Sequence, residues 1–419
     1  MQTTTTLHPA PWKLSSGVCL GGINMAGTGG ANIRQPPIAT PDRAAGPAST
    51  TATPNAASTD SGASSTVAWE QLVEQSCAST PVPSPLPAAG DGWCRWPSRR
   101  GCGACAAADR LHAPSPLMGE CFEADYVLHQ CARLGRGASG AVYRCSVVGA
   151  PAGEQYAVKV IALRKYEDRA LAGRERRALE LLRGAARVVQ LRRAYVAACR
   201  AHLVFELLGQ GSTLRELLHQ SAGAPPPALL RGIARELLLA LSEVHARGLC
   251  HLDVKPANVW VAGSSAAPRV CLLDLAFAHE FALGGRAMMA VPSALCGSPA
   301  YMAPEVVAAD AAHLRTHRFA PYDGRAADAW SAGVTLFEAA FPGAGPPFCP
   351  PAKALDPLAE IAALHAAWAA ATPAHPVMQQ LAAATPQERD FWQRLLSADP
   401  GVRLTVEAAL AHPFLQGSC

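Results

Sequence analysis

The stretch Cys250-His-Leu-Asp-Val-Lys-Pro-Ala-Asn258 restricts the possible folds more than any other part of the chain. It sets a carboxylate, an ammonium and an amide into one short register. Taken alone, it reads as a polar loop between a helix and a strand. The same three groups are what a reaction needs when it depends on positioning and charge stabilisation more than on covalent chemistry. Context has to decide between the two readings.

Two upstream segments supply that context. Leu134-Gly-Arg-Gly-Ala-Ser-Gly-Ala-Val-Tyr143 carries Gly135, Gly137 and Gly140, followed by Val142. Dinucleotide-binding folds use a similar three-glycine pattern, but at a strand-to-helix turn. Here another strand-like run follows, Gln155-Tyr-Ala-Val-Lys-Val-Ile161, which puts the glycines in a hairpin between strands. A hairpin tip without side chains lets backbone N–H groups approach phosphate oxygens closely. Lys159 lies within the second run, flanked by Ala157, Val158 and Val160. In an apolar strand a lysine is either an edge residue facing solvent or a partner for phosphates, and the second role needs a carboxylate to hold its ammonium. Glu175 is the best candidate, in the helix-patterned Arg174-Glu-Arg-Arg-Ala-Leu-Glu-Leu-Leu182, with Leu179 one turn on facing the core. Glu180 is the runner-up and falls on a different face.

Composition matters for the domain boundary. The first 120 or so residues are crowded with Thr, Ser, Ala, Pro and Gly and offer few side chains to bury. Such a segment cannot offset the entropy of ordering its backbone, so residues 1–122 are expected to be a disordered, low-complexity region. Apolar periodicity and charge appear together from Tyr126 onward, and the remainder is long enough for one large two-lobed domain. Within the tail, 67–75 has the pattern of a short amphipathic helix, either a docking peptide for a regulatory partner or a transient helix without function. The first 41 residues lack Asp and Glu, as organellar import segments do, but hold only Lys13 and Arg34 and suit an ordinary tail better.

The net charge of +4 is too mild for a dedicated nucleic-acid surface. The arginines of 164–193 are mixed with Glu167, Glu175 and Glu180 and read as a solvated helix face. Fourteen cysteines are scattered through the chain without a secretory signal pattern; Cys145, Cys199 and Cys271 sit in apolar strand-like runs and read as reduced core thiols of an intracellular protein, cytoplasmic or nuclear. Cys102-Gly-Ala-Cys105, with Cys94, His112 and Cys121 nearby, lacks the pair-and-pair spacing of a zinc site. Two long uncharged stretches, 287–304 and 361–387, are broken by prolines and polar residues, so no transmembrane helix is expected.

Glycine hairpin, Ala-Val-Lys, helix Glu and the 250–258 loop follow in the order and at the spacing of eukaryotic protein kinases, and the chain resembles that family from about residue 125 to 415. The resemblance implies an α+β fold of two lobes: a small lobe (about 123–207) of antiparallel sheet plus one helix, and a mainly helical large lobe (about 212–415). It implies Mg-ATP bound between them. Leu134, Gly135, Gly137, Gly140, Val142, Ala157, Lys159, Glu175 and Trp260 would line the nucleotide site. Leu203-Val-Phe-Glu-Leu-Leu208 looks like the hinge, with Phe205 as gatekeeper and the backbone of Glu206 and Leu208 bonding the adenine edge. Asp253 would accept or orient the substrate hydroxyl proton, Lys255 would balance charge on the phosphoryl group, and Asn258 and Asp274 would ligate Mg2+. Lys255 followed by Pro, together with Ser298 in Gly297-Ser-Pro-Ala-Tyr-Met-Ala-Pro-Glu305, resembles serine/threonine rather than tyrosine kinases. The same likeness pairs Glu305 with Arg403, and sets Asp328 against the backbone of the catalytic loop.

Four departures from the family stand out. Leu252 replaces the Arg that normally captures a phosphate on the activation loop, which implies activity without phosphorylation at Ser293. The usual Asp-Phe-Gly is Asp274-Leu-Ala276; Leu275 can still stack with His251, Leu179 and Leu191, but Ala276 lacks glycine's backbone freedom. Trp260 stands where an aliphatic residue lies beneath the adenine, and with the 251–258 loop it is similar to the Wee family of cell-cycle inhibitory kinases, whose charged activation-segment pattern Cys296-Gly-Ser-Pro lacks. Ser212 and Ala257 replace glutamates that read substrate arginines, leaving only Glu338. The expectation is a protein serine/threonine kinase acting on protein substrates. The alternative is a nucleotide-binding pseudokinase scaffold with little turnover; a small-molecule phosphotransferase is disfavoured by the Ala303-Pro-Glu305 segment, a peptide-docking shelf.

Overall fold

The computed structural model describes residues 121–417, apart from 138, 151–153, 222, 283–287, 290–296, 317–319, 343–344, 352–353 and 373. The expectations for the N-terminal region, including the 67–75 helix, the Cys102/Cys105 pair and the import segment, lie outside the described residues, as do Ser293 and Cys296.

Short α1 (Phe122–Asp125) leads into β1 (Tyr126–Gly137), β2 (Gly140–Val147) and β3 (Gln155–Ala162); β4 (Leu191–Val196) and β5 (Arg200–Glu206) complete one antiparallel sheet in the order β1-β2-β3-β5-β4. β3 is the central strand, so Lys159 is not an edge residue: it stands opposite Val142 on one side and Leu203 on the other. Side chains alternate across a strand. Lys159 therefore faces α2 (Tyr166–Leu181), whose buried residues Ala172, Glu175, Ala178 and Leu179 recur at helical spacing. Val158 faces the other way, into a second cluster with Phe122, Tyr126, Cys145, Tyr195 and Val204. There Phe122 stacks on His202 with ring centroids 4.5 Å apart, and the Tyr195 hydroxyl donates to Asp125 at 2.6 Å. Both faces of the small-lobe sheet are thus covered, and Phe122 joins its core from just before the expected boundary.

The second lobe opens with β6 (Ser212–Thr213) and α3 (Leu214–Gln220), which starts in a reciprocal capping box between Thr213 and Glu216. Helix α4 (Pro227–Ala246) follows, then β7 (Leu249–Cys250), β8 (Val259–Ser264), β9 (Ala267–Leu272), and the short β10 (His279–Glu280) and β11 (Met288–Met289). Next come α5 (Pro304–Thr316), β12 (Tyr322–Asp323), α6 (Gly324–Ala340), α7 (Pro357–Ala369), α8 (Pro376–Leu381), α9 (Pro386–Leu395), α10 (Val406–Leu410) and α11 (Pro413–Gln416). Helix α6 is buried on every side from Ala327 through Phe337, which marks it as the core about which the other helices pack. The α+β, two-lobed architecture implied by the resemblance is the one observed. Among the described residues no helix is long and apolar enough to cross a membrane.

Two expectations need correction. α2 ends at Leu181, so Arg187, Arg192 and Arg193 do not belong to a solvated helix face; Arg187 is partly buried against Glu236 and Glu243. Cys199 is exposed, because it occupies the β4–β5 turn closed by Ala197 N–H donating to the Arg200 carbonyl, whereas Cys145 is a core thiol.

Candidate active site

The 250–258 loop leaves β7, turns, and re-enters β8 through a 3-10 turn at Pro256–Asn258. Its shape depends on Asp328. From the buried α6, this carboxylate accepts the backbone N–H of His251 (2.8 Å) and of Leu252 (2.7 Å), and sits 2.9 Å from the His245 ring. Leu252 has φ +60, a left-handed angle that costs an L-residue about 1–2 kcal/mol. Gly297, at φ +82, lies so close to the Leu252 carbonyl that a side chain there would collide with it. Only glycine fits, and the next residue is Ser298.

The three polar groups converge. Lys255 Nζ donates to Asp253 Oδ2 and to Ser298 Oγ, both at 2.7 Å. Asn258 Nδ2 donates to the Asp253 carbonyl at 2.9 Å and to Asp253 Oδ2 at 3.0 Å. Asp253 Oδ1 is buried and has no hydrogen-bond partner among the described residues. A carboxylate oxygen in that condition is costly unless something else is to fill the place.

Across the cleft, Lys159 Nζ lies 2.8 and 2.9 Å from the two oxygens of Glu175 and 2.7 Å from Asp274 Oδ1. Glu180 instead pairs with Arg176 at 3.0 Å. Burial opposes the Lys159 charge, but Asp274 and Glu175 outweigh it and hold the ammonium above its ordinary pKa. Burial likewise works against the Asp274 carboxylate, and the Lys159 ammonium beside it wins and keeps it below the usual range. For Glu175 burial is the stronger influence, and its pKa is pushed up despite Lys159. The two groups of side chains are joined through backbone: Leu273 N–H donates to the Asn258 carbonyl at 2.9 Å, and the Leu273 carbonyl lies 3.1 Å from the His251 ring.

The left-handed angle of the 274–276 segment falls on Asp274, at φ +58, and not on Ala276. Aspartate tolerates that region better than most residues. In this conformation Ala276 therefore carries no backbone strain for want of glycine. Leu275 is fully buried in one cluster with Leu179, and Leu191 packs against it.

In the glycine hairpin, Gly137 pairs with Gly140 across the turn, and among the described residues an added Cβ at Gly135 or Gly137 would meet no atom within 4 Å. Gly140 approaches the Val160 carbonyl so closely that a Cβ would lie 2.5 Å from it. Leu134 is exposed; Val142 and Ala157 are half-buried, Ala157 opposite Phe205 on β5. At the hinge the Glu206 N–H is already taken by the Gln190 carbonyl at 3.1 Å, which leaves only its carbonyl side for a ligand; Leu208 is half-buried. The Trp260 indole lies against Gly211, just past the hinge, where an added Cβ would meet Nε1 at 2.5 Å. Glu338 accepts a 2.7 Å hydrogen bond from the Tyr301 hydroxyl and is not a free acid. Glu305 and Arg403 form a bidentate pair at 2.6 and 2.8 Å. Sequence reasoning missed Arg187 and Tyr301, since nothing local to either marks its distant partner.

A family model described as protein kinase domain matches residues 128–415. The chain is 29% identical over 299 residues to the phosphorylase b kinase gamma catalytic chain, liver/testis isoform, of Mus musculus, covering 68% of this chain and 65% of that one. It is 36% identical over 209 residues to CBL-interacting protein kinase 4 of Oryza sativa subsp. japonica, covering 49% of this chain and 42% of that protein. With calcium/calmodulin-dependent protein kinase type II subunit delta of Oryctolagus cuniculus the identity is 27% over 308 residues, 70% of this chain and 49% of the other. The chain thus spans less than two thirds of the length of each of these relatives.

Proposed function

Since the chain belongs to the protein kinase family, we propose that it transfers the γ-phosphoryl group of Mg-ATP to serine and threonine hydroxyls of protein substrates. The observation that carries this reading is the buried Asp253 Oδ1, unpartnered among the described residues, beside an Oδ2 already held by Lys255 and Asn258. A substrate hydroxyl is the donor that such an oxygen lacks. The hydroxyl oxygen bonds to the γ-phosphorus as the bond to the departing ADP breaks, and the hydroxyl proton goes to Asp253. Lys255, bridging Asp253 and Ser298, sets its charge beside the transferring group. Positioning and charge stabilisation are what phosphoryl transfer asks of a protein.

Lys159, steadied by Glu175, is the cation for the nucleotide phosphates, and the hairpin of Gly135, Gly137 and Gly140 covers them. The hinge offers the Glu206 carbonyl and the Leu208 N–H to the adenine, with Leu134, Val142, Ala157 and Trp260 as the apolar walls. The amide oxygen of Asn258 and the carboxylate of Asp274 are hard oxygen donors of the kind magnesium prefers, and they would hold it. When bound, the ion neutralises charge on the phosphates. The kinase domain would begin near residue 123, with residues 1–122 as a separate low-complexity region open to a regulatory partner. Glu338, engaged by Tyr301, supports a substrate preference that is not Arg-directed. Leu252, in place of a phosphate-binding Arg, supports activity without phosphorylation of Ser293.

The test is a radiolabelled-ATP assay of the full chain and of Asp253→Asn on degenerate peptides fixed at Ser, Thr or Tyr. Transfer to Ser and Thr, reduced by at least about a hundredfold in the variant, is expected. Mg-ATP binding without transfer by the wild type would assign the scaffold role instead.

A further inference from the structure

Arg187 lies outside the polar groups described above and pairs with two carboxylates at once. It follows the turn in which α2, the helix carrying Glu175, ends. Its Nε and Nη2 each lie 3.1 Å from the Glu236 carboxylate, and its Nη1 lies 2.7 Å from Glu243 Oε1. Its backbone N–H donates to Glu243 Oε2 at 3.2 Å. Glu236 and Glu243 are two turns apart on α4, so they share one face of that helix. One small-lobe arginine therefore grips two carboxylates of the large lobe. Burial opposes its charge, yet the hydrogen bonds it donates to the two glutamates hold its pKa above the ordinary value.

The backbone of the same residue reaches the other half of the site. The Arg187 carbonyl accepts the Leu272 N–H at 2.8 Å, and the Leu272 carbonyl accepts the Val189 N–H at 3.0 Å, which makes a parallel bridge between Val188 and Leu272. Leu272 precedes Asp274 by two residues. Arg187 thus touches three elements at once: the exit of the Glu175 helix, the strand that delivers Asp274, and α4, which runs on to His245 and the Asp328-bound loop. Glu175 and Asp274 are the two carboxylates that hold the Lys159 ammonium.

We infer that Arg187 is a positioning residue that fixes the Lys159–Glu175–Asp274 cluster relative to the large lobe. It acts through its fork to Glu236 and Glu243, and the inference rests on the kinase reading of the site. A purely stabilising ion pair would need only charge balance. A positioning clamp needs the planar fork, which a guanidinium offers to two carboxylates and an ammonium does not. Loss of the fork frees the turn after α2 to shift against α4, and a catalytic group misplaced by about 1 Å costs up to about a hundredfold in rate.

The experiment compares four full-length proteins: wild type, Arg187→Met, Arg187→Lys, and the triple variant Arg187→Met/Glu236→Gln/Glu243→Gln. Melting temperature, kcat/KM on a serine peptide and Mg-ATP affinity are measured for each. Arg187→Met leaves two partly buried carboxylates uncompensated and loses both stability and activity. The triple variant removes that repulsion. It is expected to regain the wild-type melting temperature while kcat/KM stays at least about tenfold low and Mg-ATP binds more weakly. Arg187→Lys, which keeps the charge without the fork, is expected to fold and to show the same deficit in smaller degree. The inference is overturned if activity in the triple variant returns along with stability, or if Arg187→Lys matches the wild type in both readouts. Should the wild type be no more active than Asp253→Asn, the kinase reading fails, and Mg-ATP affinity alone decides whether Arg187 positions Lys159.

Discussion

Replacing Arg403 by methionine separates a buried ion pair from the surface pairs that surround it in the sequence. The Arg403 guanidinium donates to both Glu305 oxygens, to the Ala326 carbonyl at 2.7 Å and, through Nε, to the Ser397 carbonyl at 2.9 Å. Its side chain is 1% exposed and its guanidinium lies 5.1 Å from the centre of the Trp330 ring. Each charge-assisted bond contributes about 1.5–3 kcal/mol. Desolvation offsets part of that gain while the pair is intact, but removing one partner leaves the other charge buried alone, at a cost of about 3–5 kcal/mol. Methionine keeps the apolar stem, so the expected loss is about 4 kcal/mol. For large domains each kcal/mol moves the melting temperature by about 2–4 °C, hence a fall of about 10 °C. The comparison is Arg394→Ala, which breaks an i,i+4 pair to Asp390 of 3.7 Å with both side chains half exposed. Such a pair is worth about 0.5 kcal/mol, and the shift should stay below about 2 °C. Thermal and urea unfolding of the two variants give the answer. Equal shifts, or an Arg403→Met protein within about 1 kcal/mol of wild type, would refute the reasoning.

Gly297→Ala drives a Cβ toward the Leu252 carbonyl and displaces Ser298. The expectation is a kcat/KM lowered by about tenfold or more, with Mg-ATP affinity kept because Lys159 and Asp274 are untouched; steady-state kinetics beside nucleotide titration check it. Phe122→Ala removes a ring from the outer cluster of the small lobe and should lower stability by about 3–5 kcal/mol, read as a lower urea midpoint. His365 is buried with neither ring nitrogen bonded among the described residues, and burial, helped by the Arg403 charge and by His375, pushes its pKa down to about 3. A group whose folded pKa is depressed contributes stability above its unfolded value, about 6.5. That stability falls as the pH drops from there toward 3, by up to about 1.4 kcal/mol per pH unit. A His365→Phe protein should lose less stability between pH 7 and 5 than wild type; identical slopes would contradict this assignment.

What could be read from the chain alone was the part set by short-range spacing. The glycine run reads as a hairpin because the strand-like run 155–161, and not a helix, follows it, and the structure pairs Gly137 with Gly140 across that turn. Glu175 was picked from its helix by its place relative to Leu179, and the structure sets its carboxylate 2.8 Å from Lys159. The order of the segments was enough to give the two-lobed fold and the family.

The rest depended on which faces meet. Arg187 resembled its neighbouring arginines until α4 brought Glu236 and Glu243 beside it. Cys199 lay in an apolar run, yet the chain turns there and leaves it exposed. Glu338 was all that remained of the acids that read substrate arginines, and Tyr301 donates to it, while the left-handed angle expected to trouble Ala276 sits on Asp274 instead. Spacing along the chain determines which residues share a face, since that is a matter of backbone period. Partners across the fold are chosen by how helices and strands pack, where one side chain's charge is balanced by another far away in sequence, and only the tertiary structure decides that.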